Sequence, residues 1–243
     1  MKNNNIYTVI FVAVLCSVCA GLMALAYNEL GDDIQANREY ARIRAAVQAL
    51  DLLAGQTHAT PEAERAATKE AYKTLKPGKL GTLDVLRRAD GAFVVEVKAV
   101  LRNGPMRAYM AFADDSGKKC LGFRVFAHQE TGGLGAEIAT NEEWIRQFSG
   151  LQLYEGKNTG MTILLKAGEV KTAPNMISGV TGASQTMRAL GEALNLKIAA
   201  VADGGADYSQ LVKLVFYKYI FDNHENATDY KPKTKEYKCK PGG

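Results

Sequence analysis

Near the start of the chain an uncharged apolar run, "IYTVIFVAVLCSVCAGLMALAY" at residues 6–27, gives way abruptly to patterned sequence. About 22 such residues, rising 1.5 Å each, are enough to cross a hydrocarbon layer of roughly 30 Å as one helix. Lys2 precedes the run and the acidic "NELGDD" follows it, so the charge bias places the amino terminus in the cytoplasm and the body outside the cytoplasmic membrane. A cleaved signal peptide is the rival reading, since "ALA" at 24–26 resembles a cleavage site. The length of the run favours an anchor over a signal core of about 7 to 15 residues.

Residues 28–79 read as a helical stalk and linker. In "IQANREYARIRAAVQALDLLA" the positions Ile34, Tyr40, Ile43, Val47 and Leu50 share one stripe, and "PEAERAATKEAYKTL" opens with proline at a helix start. "LKPGKLGT" supplies turn residues. Beyond it the period changes to two. "AFVVEVKAVL" sets Phe93, Val95, Val97, Ala99 and Leu101 against Glu96 and Lys98, and "MRAYMAFAD" and "CLGFRVFAHQ" repeat the habit. Gly104-Pro105 and "DDSGKK" provide the turns of an antiparallel meander. "NEEWIRQFSG" reads as a short helix, "GMTILLKAG" as a strand and "SQTMRALGEALNL" as a helix. These elements predict an α+β domain over 80–202 with helices against a mainly antiparallel sheet. Residues 203–243 form an extension in which "SQLVKLVFYKYIF" fits either a helix or a strand and the remainder is polar.

Composition adjusts this picture little. The 243 residues are 47% apolar, enough for a sizeable core, and the net charge of +4 is too small to point to nucleic acid. Of the four cysteines, Cys16 and Cys19 lie inside the apolar run, which suits small apolar packing rather than a metal or redox pair. Cys120 and Cys239 can pair only if the tail folds back. No cluster-binding cysteine spacing occurs, and His58, His128 and His224 are scattered. Trp144 and His128 are expected to be structural. "NAT" at Asn226 is a short acceptor pattern for glycosylation that carries little weight.

Two segments carry chemistry. In "SGVTGASQTMRAL", residues 178–190, hydroxyl and small residues precede a helix. Gly182 and Ala183 leave room for backbone amides to approach phosphate oxygens, and the helix aims its free N–H groups and positive dipole end at the remaining charge. The plain alternative is an ordinary cap before a buried helical face formed by Met187, Leu190 and Leu194. In "HQETGGLGAEI", from His128, Glu130 and Thr131 offer polar atoms, and Gly132, Gly133 and Gly135 allow a backbone turn close to a flat ligand.

Taken in order, and behind a lone span, these segments resemble the FMN-binding domain shared by the G subunit of Rnf complexes and the C subunit of sodium-translocating NADH:quinone oxidoreductases. That family has a "HxETPGLG" segment before an "(S/T)GA(T/S)" segment. The resemblance covers about residues 80–200 and the anchor. It implies FMN held covalently through its phosphate as an ester of Ser184, with Thr181 and Thr186 as rival acceptors. The implied cofactor contacts are Thr181, Gly182, Ala183, Gln185, Thr186, Glu130, Thr131, Gly133, Leu134 and Gly135. A flavin transferase using FAD would attach the group. Three positions depart from the usual pattern: Ser178 stands where an acid is common, Ser184 where threonine is common, and Gly132 where proline is usual. Serine supplies the same nucleophilic oxygen.

The resemblance further implies a membrane-anchored electron-transfer subunit in an Rnf-type ion-translocating ferredoxin:NAD+ oxidoreductase. Its flavin would relay electrons between a membrane iron-sulfur centre and another flavin subunit, with the other membrane subunits as partners. Alternatives are a component like the C subunit of the sodium-translocating enzyme, an independent flavin-domain reductase, and an assembly protein that keeps the fold without flavin. The sequence has no dinucleotide-binding GxGxxG, no haem-attachment CxxCH and no cluster cysteines, so the overall reaction needs other chains.

Overall fold

The computed structural model describes residues 5–155, 158–165 and 169–207. "SQLVKLVFYKYIF", Asn226, His224 and Cys239 lie outside them. A helix of 45 residues, α1 (Asn5–Ala49), comes first and is about 67 Å long. Its N-terminal part is long and apolar enough to cross a membrane and is wholly exposed, as a single-pass anchor requires. The same helix continues without a break through the charged stretch and ends inside the domain.

After α2 (Pro61–Lys73) come five strands, β1 (Lys76–Leu80), β2 (Leu83–Arg87), β3 (Phe93–Val100), β4 (Pro105–Phe112) and β5 (Cys120–Ala127). They form one antiparallel sheet in sequence order. The expected meander is present, and it begins earlier than the turn-like "LKPGKLGT" suggests. β1 runs through Pro77, which pairs with Leu86. An edge strand tolerates proline because the missing N–H faces no neighbour. The true turn is Gly81-Thr82.

Both faces of the sheet are covered. Phe93, Val95, Val97, Met106, Ala108, Met110, Phe112 and Phe123 pack under the later helices. Val94, Tyr109 and Ala111 meet Ala45, Ala46, Ala49 and Leu50 from the end of α1. A register shift between Ala111 and Phe112 turns Cys120 to the same side as Phe123 in spite of their odd spacing. α1 lies so close that a Cβ on Gly122 would be 2.5 Å from the Ala49 carbonyl oxygen. Arg42 donates to the Tyr109 hydroxyl at 2.9 Å and Arg88 to the Leu50 carbonyl at 2.9 Å, fixing the helix end on the sheet. α2 runs beside α1, where Arg65 stacks on Tyr40 and Arg44 pairs with Glu64.

The chain then forms α3 (Glu137–Thr140), α4 (Glu142–Arg146), an antiparallel pair β6 (Tyr154–Glu155) and β7 (Asn158–Thr159), and a parallel pair β8 (Thr162–Leu164) and β9 (Met176–Ser178). Trp144, Phe148 and Phe123 make one aromatic cluster, with the Phe123 and Phe148 rings 4.7 Å apart. The last described helix, α5 (Ser184–Ala202), lays Met187, Leu190, Leu194, Ile198 and Val201 on the sheet. This is the α+β architecture expected from the patterns. At its far end Gly205 closes onto the β1–β2 turn, its carbonyl accepting from both the amide and the hydroxyl of Thr82.

Candidate functional site

β9 delivers the chain to α5 through a tight turn. The Gly179 amide donates to the Leu164 carbonyl at 2.7 Å, and a Cβ there would sit 2.7 Å from that same oxygen. The Ala183 amide then closes on Val180, with Gly182 at φ +80 in the left-handed region. Ala183 occupies the cap position of α5, and no side chain caps the helix. A helix of 19 residues therefore begins with backbone donors and its positive end directed out of the turn. Ser184 is its first residue and is exposed.

The glycine-rich loop follows β5 and comes to the same place. Gly133 has φ +73, and the amides of Leu134 and Ala136 both close on the Thr131 carbonyl. Leu134, 46% exposed, lies against Gly182, whose hypothetical Cβ would be 3.0 Å from Leu134 Cδ2. Two segments some fifty residues apart in sequence thus touch. Thr131, Gly132, Gly133, Leu134, Thr181, Gly182, Ser184 and Gln185 form the exposed part, while Glu130, Gly135, Ala183 and Thr186 lie beneath.

The hydroxyls of the second segment differ sharply. Thr186 is 2% exposed, and its Oγ1 donates to Glu130 Oε2 at 2.7 Å. Thr181 and Ser184 face solvent. Glu130 is turned inward rather than toward the exposed surface, and its other oxygen accepts from the Asn103 amide at 2.9 Å. The Asn103 side chain in turn donates to Thr131 Oγ1 at 2.8 Å. Asn103 sits in the β3–β4 turn, and nothing in "RNGP" marks it as part of the site. Only the pairing of β4 with β5 brings that turn beside the loop.

His128 is half-buried, its Nδ1 accepting from the Glu130 amide at 3.2 Å, which is a structural part. Trp144 is buried and donates to the Ser178 carbonyl at 2.8 Å. It braces the strand before the turn. Ser178 itself donates its amide to Gln147 Oε1 at 2.9 Å. Cys120 is buried, and burial pushes its thiol up to about 12. Among the described residues no cluster of His, Cys, Asp or Glu could hold a metal ion.

An uncapped helix start, an exposed hydroxyl on its first residue, a left-handed glycine before it and an apolar side chain alongside together fit a phosphate-bearing ligand with a flat apolar part. Residues 102–199 match the FMN-binding domain family. Two crystal structures share the fold. The C subunit of the Na(+)-translocating NADH-quinone reductase from Parabacteroides distasonis superposes with a TM-score of 0.54 at 14% identity, over 72% of this chain and 98% of that one. Shewanella oneidensis NqrC superposes with a TM-score of 0.55 at 17% identity, over 74% and 99%. At these identities the likeness is one of fold. No curated protein matches the chain in sequence.

Proposed function

We propose, from the premise that residues 102–199 form a domain of the FMN-binding family, that this chain carries FMN as a phosphate ester of Ser184 and serves as an electron-transfer subunit anchored by α1. The observation that carries the reading is the contrast between hydroxyls. Ser184 is exposed at the start of the uncapped helix, whereas the Thr186 hydroxyl is buried and committed to Glu130. Thr181 is also exposed, but it precedes the helix and lies outside its first turn.

The first amides of α5 and its positive end would stabilise the charge that a phosphate diester retains. Gly182 lets the backbone approach that group, and Leu134 offers an apolar surface beside it. Bound there, FMN supplies reversible one-electron and two-electron redox chemistry. Attachment balances simply. The Ser184 Oγ–P bond forms as the diphosphate bond of FAD breaks, AMP leaves, and the hydroxyl proton passes to a base of the flavin transferase. No electron is exchanged.

The partners in this reading are other membrane subunits of an Rnf-type ion-translocating complex, with the domain on the periplasmic side of the inner membrane and the amino terminus in the cytoplasm. The second reading gives the chain the place of the C subunit in a sodium-translocating NADH:quinone oxidoreductase, favoured by the fold likeness to two such subunits. Subunits that co-purify with the chain from native membranes distinguish the two. Ser184→Ala made beside the transferase tests the attachment. The expected result is a folded chain without covalent flavin, and flavin persisting on another hydroxyl overturns the assignment.

A further inference from the structure

Glu130 is a buried carboxylate, 8% exposed, and among the described residues no cation pairs with it. Such a group is costly unless hydrogen bonds replace its lost water. Here both oxygens are used: Oε1 accepts from the Asn103 amide at 2.9 Å and Oε2 from the Thr186 hydroxyl at 2.7 Å. Gly135 makes room for it, since a Cβ at that position would lie 2.2 Å from Oε2. The carboxylate therefore joins three parts of the chain: the β3–β4 turn, the glycine-rich loop and the first turn of α5.

The consequence lies in the rotation of the helix. Successive residues of an α-helix are about 100° apart, so Thr186 and Ser184 are about 200° apart and point in nearly opposite directions. Holding the Thr186 hydroxyl inward on a support fixed to the end of the sheet keeps Ser184 turned outward. Thr186 is itself removed from competition as an acceptor, because it is buried and its proton is engaged.

We propose that Glu130 and Thr186 form a positioning clasp that presents Ser184, and not a neighbouring hydroxyl, to the flavin transferase. This rests on the reading of Ser184 as the acceptor. Neither residue needs to touch FMN. The clasp acts on the efficiency of attachment, so it predicts a dependence on the hydroxyl at position 186 that simple packing does not.

The test uses the full chain in membranes with its flavin transferase and FAD. Appearance of FMN on the peptide containing Ser184 is followed in time, and thermal unfolding is recorded for each variant. Thr186→Val, which keeps the shape and removes the donor, is expected to slow attachment by about tenfold or more, the size of one lost hydrogen bond to a charged group. Thr186→Ser, which restores the hydroxyl, is expected to attach flavin within about twofold of wild type, well inside that effect. Should the valine variant not fold, Glu130→Gln and Glu130→Gln/Thr186→Val give the same comparison without a buried charge. Attachment to a folded valine variant at the wild-type rate overturns the clasp. So does equal slowing in the valine and serine variants, which assigns the effect to packing. A wild-type chain that remains bare sinks the flavin reading itself, and the clasp's role with it; a flavinylated wild type with unaffected variants sinks the clasp alone.

Discussion

Gly135→Ala offers a sharp check on the site, because its effect passes through one contact. Gly135 is not in the left-handed region, so the substitution carries no backbone strain of that kind, and alanine in an unstrained position ordinarily stabilises by about 0.4–1 kcal/mol. The new Cβ would nevertheless lie 2.2 Å from Glu130 Oε2 and 3.0 Å from Glu130 Cβ. Glu130 has to move, which strains or breaks its bonds to Asn103 and Thr186. Overpacking costs about 1–3 kcal/mol and each hydrogen bond to a charged group about 1.5–3 kcal/mol. A displaced carboxylate that reaches water recovers part of that loss, and the net expectation is about 3 kcal/mol. For a domain of this size each kcal/mol lowers Tm by roughly 2–4 °C, giving a fall of about 6–12 °C. The assay is thermal unfolding of the full chain in detergent, run as a cycle with Glu130→Ala. Alanine at 130 removes the 2.2 Å clash with Oε2 and leaves only the 3.0 Å approach of the two Cβ atoms, so Gly135→Ala in that background is expected to cost about 1 kcal/mol, clearly less than in the wild type. Additive losses, or a single variant as stable as wild type, would refute the contact.

Other consequences follow from the packing. Gly205→Ala, which combines φ +85 with a Cβ 1.7 Å from the Leu80 carbonyl oxygen, is expected to destabilise by about 3 kcal/mol or more in the same assay. Phe123→Ala removes the ring that stacks on Phe148 and meets Trp144 edge-on, and is expected to cost about 3–5 kcal/mol in denaturant unfolding; a loss under about 1 kcal/mol contradicts the packing described. The Cys120 thiol, pushed up to about 12 by burial, ionises near pH 8.5 once unfolded. Its folded value is the higher, so its contribution to stability is complete below about pH 8.5 and declines as pH rises toward 12. At about pH 8 an alkylating reagent is expected to modify Cys120 only as the domain opens, and immediate modification of the folded chain would contradict its burial.

Much of this fold is legible in the sequence wherever one period dominates. Phe93, Val95 and Val97 recur at every second position and become the inner face of a central strand, and Met187, Leu190 and Leu194 mark the buried side of α5. The meeting of the two small-residue segments has a signal too, because glycines in a turn and a hydroxyl before a helix each carry a local meaning. Other features depend on pairing and stay hidden. Asn103 enters the site only through strand register, and the inward turn of Glu130 depends on the Thr186 hydroxyl 56 positions away. The end of α1 reads as stalk because Ala45, Ala46 and Ala49 are small. Their size is what lets the helix approach the sheet at Gly122. Pro77 reads as a turn residue and is tolerated in β1 because that strand lies on an edge.

The central claim is that one exposed hydroxyl at the start of α5 is the point of flavin attachment. Intact-mass analysis of the chain purified from membranes containing its flavin transferase, followed by peptide mapping, tests it directly. The account predicts a mass increase equal to one FMN less water, located on Ser184 and absent from Thr181 and Thr186. An unmodified chain, or flavin carried by either threonine, would contradict it.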